Sequence, residues 1–425
     1  MAKKKKKIRK IHAGLLAITG IIALSMLSVF AVSKIFSPLE NQNEEKSNEA
    51  NPEVTDDSVQ NTDSESTNTG RVSSFTFTGV GDNLLHDPIF LYFEEDTGTR
   101  DFLPIYEATM DKMLAADLAY INFETLCAGD EYGLSGYPDF NGPVEMIDAL
   151  AQTGIDWIST ASNHSLDRGP EGLMTQMSYL QEHYPAITYT GSYMSEEAYN
   201  TPIVKEINGI KVGMATFTYG LNGRALPEGY EWLVDVYDEM DGTIKYDRMQ
   251  TVLDRLKDVS DVQIVTMHWG VEYENTPNEE QVAIAQFLHQ NGVEAIIGTH
   301  PHVIQPAEML VSDDQTTLVY YSLGNFLSAQ NTNMTMVGGM ADFTLNYNFD
   351  SKKASFSDVK FIPTITWISP DLRSYQTHTI DQWDDNLSTN HYVTQIEGMD
   401  LSKGWVQEYV QSVMGTPENI EIVYE

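Results

Sequence analysis

One cysteine, Cys127, stands among 425 residues, so no internal disulfide can form and no disulfide framework can replace a hydrophobic core. Basic residues are scarce as well: 25 Lys and Arg face 62 Asp and Glu, a formal net charge of −37. Eight of the 25 sit in residues 1–36, where there is no acid; the remainder holds 17 basic and 62 acidic side chains, a net of −45. A nucleic-acid backbone needs a basic surface, so nucleic acid is excluded as a partner. No internal repeat is present, which removes solenoids and propellers. The glycines of GVGDN (residues 79–83) lack the later Gly and Lys of a phosphate-cradling loop. The length leaves room for one large or two ordinary domains.

What is present begins with an apolar run. Residues 13–32 are 20 positions without a charge, about 30 Å as a helix, the hydrocarbon thickness of a bilayer. The basic cluster before it is expected to stay cytoplasmic and to send the rest of the chain outside. A cleaved signal peptide is the rival, with Val29 and Ala31 placed three and one residues before a cut. Signal cores are usually shorter, which favours an uncleaved anchor, and with no cysteine near residue 30 a lipid-modified anchor is excluded. Residues 37–73, rich in Asn, Glu, Ser, Thr and Asp, are expected to be a flexible acidic tether. The expected organisation is tail and anchor over 1–36, tether over 37–73, a folded domain over 74–370 and a C-terminal extension over 371–425.

The folded part is organised around residues 262–303, from VQIVTMHWGVEYEN to AIIGTHPHV. His268, His300 and His302 each follow a run of β-branched and apolar residues. In an extended segment residues i and i+2 point the same way, so His300 and His302 are expected to face one ion. Between the two strands TPNEEQVAIAQFLHQNG reads as a single helix, with Thr276 and Glu279 as capping box, Pro277 at its first position and Gly292 at its stop. Further strands are expected to end at Asp82, Glu124, Asn163-His164 and Asn325, with helices at 105–116, 143–154, 172–183, 247–259 and 402–414. Asn208-Gly209 predicts a hairpin, and a second antiparallel pair turns near 351–353. Helices alternating with strands, plus late antiparallel pairs, predict an α/β or mixed α+β layered domain.

Polar residues collect at these strand ends: Asp82, Glu124, Asn163, His164, His268, His300 and His302. Two carboxylates, one amide oxygen and three imidazoles can hold two divalent transition ions; imidazole suits Zn and Fe, and carboxylates admit Mn. Ions about 3.5–4 Å apart steady both the attacking and the leaving oxygen of a phosphoryl displacement. A carboxylate is the natural bridge between them. His164 is then left to protonate a leaving group or hold a phosphate oxygen, with Asp167 as its orienting partner. Singly, each of these residues is more often structural; their joint occurrence makes the case. His86 reads as a loop residue before a ligand, Arg168 equally as a phosphate contact or a loop salt bridge, Glu272 as support for His268 or a turn cap, and Cys127 as a buried small residue.

TGVGD, NFETLCAG, ASNHSLDRG, HWGVEYE, GTHPHVIQ and YSLGNF, in this order over roughly residues 75–345, resemble the CapA-type capsule-synthesis proteins of the calcineurin-like metallophosphoesterase superfamily. The resemblance implies a four-layer αββα sandwich of two mixed sheets flanked by helices. It also implies a membrane-anchored, extracellular protein of poly-γ-glutamate capsule synthesis or export, whose partners are the bilayer, capsule synthase subunits and poly-γ-glutamate. It supports Asp82, Glu124, Asn163, His268, His300 and His302 as ligands of two divalent ions (Mn, Fe or Zn), and His164 as the catalytic neighbour. The superfamily begins with Asp-x-His; here position 84 is Leu, and Glu124 replaces its second aspartate. A field of −45 repels a polyanion unless metals or a basic pocket offset it. Two other readings stand beside this one: a surface metal-dependent phosphomonoesterase or phosphodiesterase, and a non-catalytic scaffold of a capsule synthase.

Overall fold

β-Branched and aromatic runs become strands wherever they can be covered on both faces. The computed structural model describes residues 71–238 and 242–425, apart from the side chains of 93–97. The expected anchor at 13–32, the basic tail before it and the tether up to residue 70 lie outside the described residues. Among the described residues no helix is long and apolar enough to cross a membrane.

The chain first lays down four strands, β1 (Val72–Asn83), β2 (Leu118–Asn122), β3 (Trp157–Ser159) and β4 (Thr188–Thr190), paired in parallel in that order. Six strands then build a second sheet: β5 (Val204–Ile207), β6 (Ile210–Thr218), β7 (Val262–His268), β8 (Ala295–Thr299), β9 (Ile304–Val311) and β10 (Thr316–Leu323). Their spatial order is β5-β6-β7-β8-β10-β9. The chain finally returns to the first sheet. There β11 (Asn325–Leu327) and β12 (Val337–Asn348) pair with β1, and β13 (Lys353–Ile368), β14 (Tyr375–Thr379) and β15 (Glu421–Ile422) complete nine strands. Both sheets are mixed, as the late antiparallel pairs required.

Side-chain alternation shows the layering directly. Met214, Ile264, Ile297, Leu318 and Tyr320 share a core with Phe77, Phe343 and Leu345 of the first sheet. Their chain neighbours Ala215, Val265, Ile296, Val319 and Tyr321 point the other way, into a separate core with Met249, Leu253, Ile284 and Leu288. Those four belong to the helices Tyr246–Lys257 and Glu279–Gln290. Helices Glu107–Ala115 and Glu145–Gln152 add Met113, Met146, Ile147 and Leu150 to the core of the first sheet. The stack is helix, sheet, sheet, helix. Each fully buried aliphatic side chain contributes roughly 1.5–3 kcal/mol relative to exposure, so the αββα sandwich rests on these apposed faces.

Two local expectations are corrected. Helix Glu279–Gln290 is capped by Asn278, not Thr276: its side chain accepts from Gln281 N–H while Gln281 reaches back to the Asn278 N–H, so Pro277 precedes the helix. The strand expected to end at Asn163-His164 stops at Ser159, and the two residues lie in the turn beyond it. The hairpin at Asn208-Gly209 forms as expected, and the last long helix, Lys403–Met414, is capped by Ser402.

Candidate metal centre

Parallel strands of both sheets finish along one edge, which is where open α/β sheets present ligands. Asp82 is the penultimate residue of β1, and His268 ends β7. Glu124 follows β2 by two residues, Asn163 follows β3 by four, and His300 and His302 follow β8. Bringing β1 against β11 demands a close approach. Asp82 N–H donates to Gly324 O at 2.9 Å, and a Cβ at position 81 would stand 1.9 Å from that oxygen. Only glycine fits at 81, and the contact pins Asp82 beside Asn325.

His300 and His302 do face one group of ligand atoms, with Glu124, but not as alternate residues of an extended strand. The strand stops at Thr299, and the two histidines sit at φ 95° and 59°, left-handed backbone that non-glycine residues rarely adopt. His300 N–H donates to both oxygens of Asp82, at 3.2 and 3.3 Å. His302 Nδ1 lies 3.1 Å from Asp82 Oδ2 and 3.1 Å from Asn325 Oδ1. The turn is strained and held by Asp82, as functional turns often are.

Two groups of potential ligand atoms emerge, Glu124 with His300 and His302, and Asp82 with Glu124 and His268. Within each group the atoms lie within 4.8 Å of one another. Glu124 belongs to both. Its Oε1 is 3.7 Å from His302 Nε2 and 3.8 Å from His268 Nε2. Asn163 Oδ1 is 2.9 Å from the same His268 nitrogen, so amide and imidazole converge on one point. Both oxygens of Glu124 and Nδ1 of His300 are buried without a hydrogen-bond partner. Unbonded buried carboxylate oxygens are costly unless a cation satisfies them. The donor set therefore fits divalent metal, and the six sequence-predicted ligand residues are together.

Electrostatics agree with that fit. Burial, helped by the neighbouring imidazoles, holds His268 and His300 well below the usual histidine range, so both are neutral and able to bind metal. Burial also pulls His302 down, but the carboxylates of Glu124 and Asp82 outweigh it and push the imidazole up to about 9. Burial lifts the Glu124 carboxyl well above its ordinary value, with His302 opposing and Asp82 and Glu272 reinforcing.

His164 stands slightly apart. Its Nδ1 is 2.7 Å from Asp167 Oδ2; a carboxylate accepts, so Nδ1 carries the hydrogen and Nε2 is left to exchange a proton. Asp167 is fixed by Phe140 N–H at 2.7 Å and by Arg224 at 3.1 Å. Arg168 does not contact the Asp167 carboxylate; it donates to Tyr132 O, Asp167 O and Ser135 Oγ and braces the loop. His86 joins neither ligand group among the described residues, and its Nδ1 accepts from Ala329 N–H. Glu272 is exposed, and Cys127 is a buried free thiol.

Sequence reasoning missed the residues that hold the ligands. Asn122 donates to Asp82 Oδ1 at 2.7 Å and lies 3.4 Å from His268 Nδ1. Asn325 supports His302, and Thr299 Oγ1 lies 3.2 Å from His268 Nδ1. After β6, Tyr219 packs its ring 4.6 Å from that of His300, and Asn222 Oδ1 accepts from Asn163 Nδ2. Such outer contacts orient metal ligands. The available signal was YGLNGR (residues 219–224), a polar, glycine-flanked run directly after a buried strand.

A family model described as bacterial capsule synthesis protein PGA_cap matches residues 76–330. The chain is 25% identical over 205 residues to the PGA biosynthesis protein CapA of Bacillus subtilis (strain 168), covering 48% of this chain and 50% of that protein. Likewise it is 25% identical over 204 residues to the capsule biosynthesis protein CapA of Bacillus anthracis, 48% and 47% covered. The chain thus spans about half the length of the curated relatives it matches. Among solved structures, a phosphatase from Mycoplasma pneumoniae aligns with TM-score 0.40 at 14% identity over 69% of this chain and 94% of that one. A 5'-nucleotidase from Candida albicans SC5314 aligns with TM-score 0.38 at 12% identity over 80% and 57%.

Proposed function

Because the chain belongs to the bacterial capsule synthesis family PGA_cap, we propose that it is a membrane-anchored, extracellular component of poly-γ-glutamate or related capsule synthesis or export, acting as a metal-dependent hydrolase. The observation that carries the enzymatic part is Glu124, a buried carboxylate with both oxygens unbonded and shared by two ligand groups. Asp82, Glu124, Asn163, His268, His300 and His302 would hold two divalent ions of Mn, Fe or Zn. Metal there supplies Lewis acidity and lowers the pKa of a bound water.

The chain's own residues do the rest. Asn122, Asn325 and Thr299 fix the orientation of the carboxylate and imidazoles. His164, held through Nδ1 by Asp167, exchanges a proton with the leaving group through Nε2. Arg224 secures Asp167. The net charge of the chain, −37, repels a polyanion, so poly-γ-glutamate would approach the site only where bound metal offsets that charge. Anchoring through residues 13–32, and contact with capsule synthase subunits and poly-γ-glutamate, are part of this proposal and rest on the sequence and on the family.

The test is metal analysis of the purified chain combined with capsule output in cells carrying His300→Ala or Asn163→Ala. Transition metal in the wild type, lost together with capsule in the variants, supports the proposal. A chain free of metal whose variants make normal capsule leaves a scaffold role instead.

A further inference from the structure

Beside the ligand residues lies a cavity of about 320 Å³ lined by Tyr273, Gln330, Asn331, Thr332, Met334 and Thr335. None of these six side chains is charged, in a chain of net −37. The cavity is wired to the metal centre. Asn325 Oδ1 lies 3.1 Å from His302 Nδ1, Asn325 Nδ2 donates to Gln330 Oε1 at 2.8 Å, and Gln330 Nε2 donates to the Tyr273 hydroxyl at 3.3 Å. The phenol accepts in that bond, so its own hydrogen is available to donate.

Tyr273 is an unusual residue. It sits at φ 66°, a left-handed conformation that bulky side chains rarely adopt and that clusters at ligand sites. Its N–H holds the turn by donating to Pro301 O, between the two histidines, at 2.8 Å. The residue remains 48% exposed, with its ring centre 6.1 Å from that of His302. Burial and the carboxylates of Glu272 and Glu124 push its hydroxyl up to about 12, which keeps it a donor.

We propose that this cavity is a subsite for an uncharged, hydroxyl-rich ring, a glycosyl unit, carried by the molecule processed at the metal centre; the inference rests on the hydrolase reading above. A sugar presents a C–H face to cover the Tyr273 ring and Met334, and a rim of hydroxyls for the side-chain amides of Gln330 and Asn331 and for Thr332. Aromatic rings with a polar tip suit such half-apolar ligands, and the volume is at the lower end for small-molecule sites. A γ-glutamyl segment brings a free carboxylate with each residue, and desolvating it without a cation is unfavourable.

The experiment uses the purified full-length chain treated with chelator, titrated by calorimetry and by saturation-transfer NMR with N-acetylglucosamine and, separately, with γ-linked triglutamate. Saturable binding of the sugar, weakened roughly tenfold or more by Tyr273→Ala and by Gln330→Ala, is the result expected for a stacking and hydrogen-bonding seat. Tyr273→Phe keeps the ring and guards against misfolding; it weakens the sugar less than Tyr273→Ala does. Binding of triglutamate in place of the sugar, no binding of the sugar, or sugar binding unmoved by the substitutions overturns the assignment. Binding is read on metal-free protein, so failure here leaves the metal centre standing, and failure of metal uptake leaves this result standing.

Discussion

Glu124 and His302 face each other across 3.7 Å, a carboxylate with no hydrogen bond and an imidazole lifted to about 9. Without metal this pair retains a proton that bulk histidine would have released by neutral pH. Metal must displace it, because ligands bind deprotonated. Affinity for Mn or Zn should therefore climb by roughly tenfold per pH unit for each proton expelled, levelling off near pH 9. Calorimetry in buffers of different ionisation enthalpy counts the protons. Glu124→Gln should lower affinity by more than roughly a hundredfold, beyond the loss typical of an outer contact; pH-independent uptake would contradict the assignment.

His164 and Asp167 predict a different signature. Asp167→Asn preserves shape but no longer holds the Nδ1 hydrogen of His164, and His164→Ala removes the proton carrier. Both should cost roughly 10²–10⁴-fold in kcat on a phosphate ester, while metal content stays at the wild-type level. Elemental analysis beside the kinetics separates this from a lost ligand.

His391 provides a pH-dependent brace for the C-terminal region. It is fully buried, with Nδ1 accepting from Val393 N–H and Nε2 2.9 Å from Thr366 O, and burial lowers it to about 4. Between pH 6.5 and 4 the unfolded chain takes up a proton there that the folded chain refuses. Stability from this residue is thus complete above pH 6.5 and falls with acidification, by up to about 3 kcal/mol at pH 4. Thermal melts of wild type and His391→Gln across that range should show the shallower slope in the variant.

Gly81→Ala tests the junction beneath the centre. The new methyl group meets Gly324 O at 1.9 Å, so β1 and β11 must separate. Overpacking of this kind usually costs 1–3 kcal/mol, and against rigid backbone the upper end, about 3 kcal/mol, is expected. Denaturant melts measure the loss; wild-type stability would show that the contact is softer than its geometry.

Much of this was legible before any fold was known, for reasons that can be named. Asp82, Glu124, His268 and the histidines after β8 stood out because ligand-type side chains followed runs of buried strand residues. Amphipathic spacing exposed the helices Glu145–Gln152 and Tyr246–Lys257. Other features depended on tertiary contacts. Thr276 with Glu279 was the expected cap, but the structure uses Asn278 with Gln281, whose amide also donates to Gln305. The left-handed turn at His300 and His302 follows from Asp82 accepting a backbone hydrogen bond from far along the chain. Asn122 and Asn325 looked like ordinary strand residues, since an amide announces nothing until its partner is beside it.

Asp82 is joined to His302 across 220 positions, and the return of β11 and β12 to β1 comes only after a whole second sheet has intervened. A polypeptide emerging from its amino end cannot close this cage until the last histidine has been released and the returning strands have zipped into place. Before that moment its imidazoles and carboxylates are dispersed along the thread and share no common site. Any ion this cage holds would therefore be taken up only after both sheets have closed.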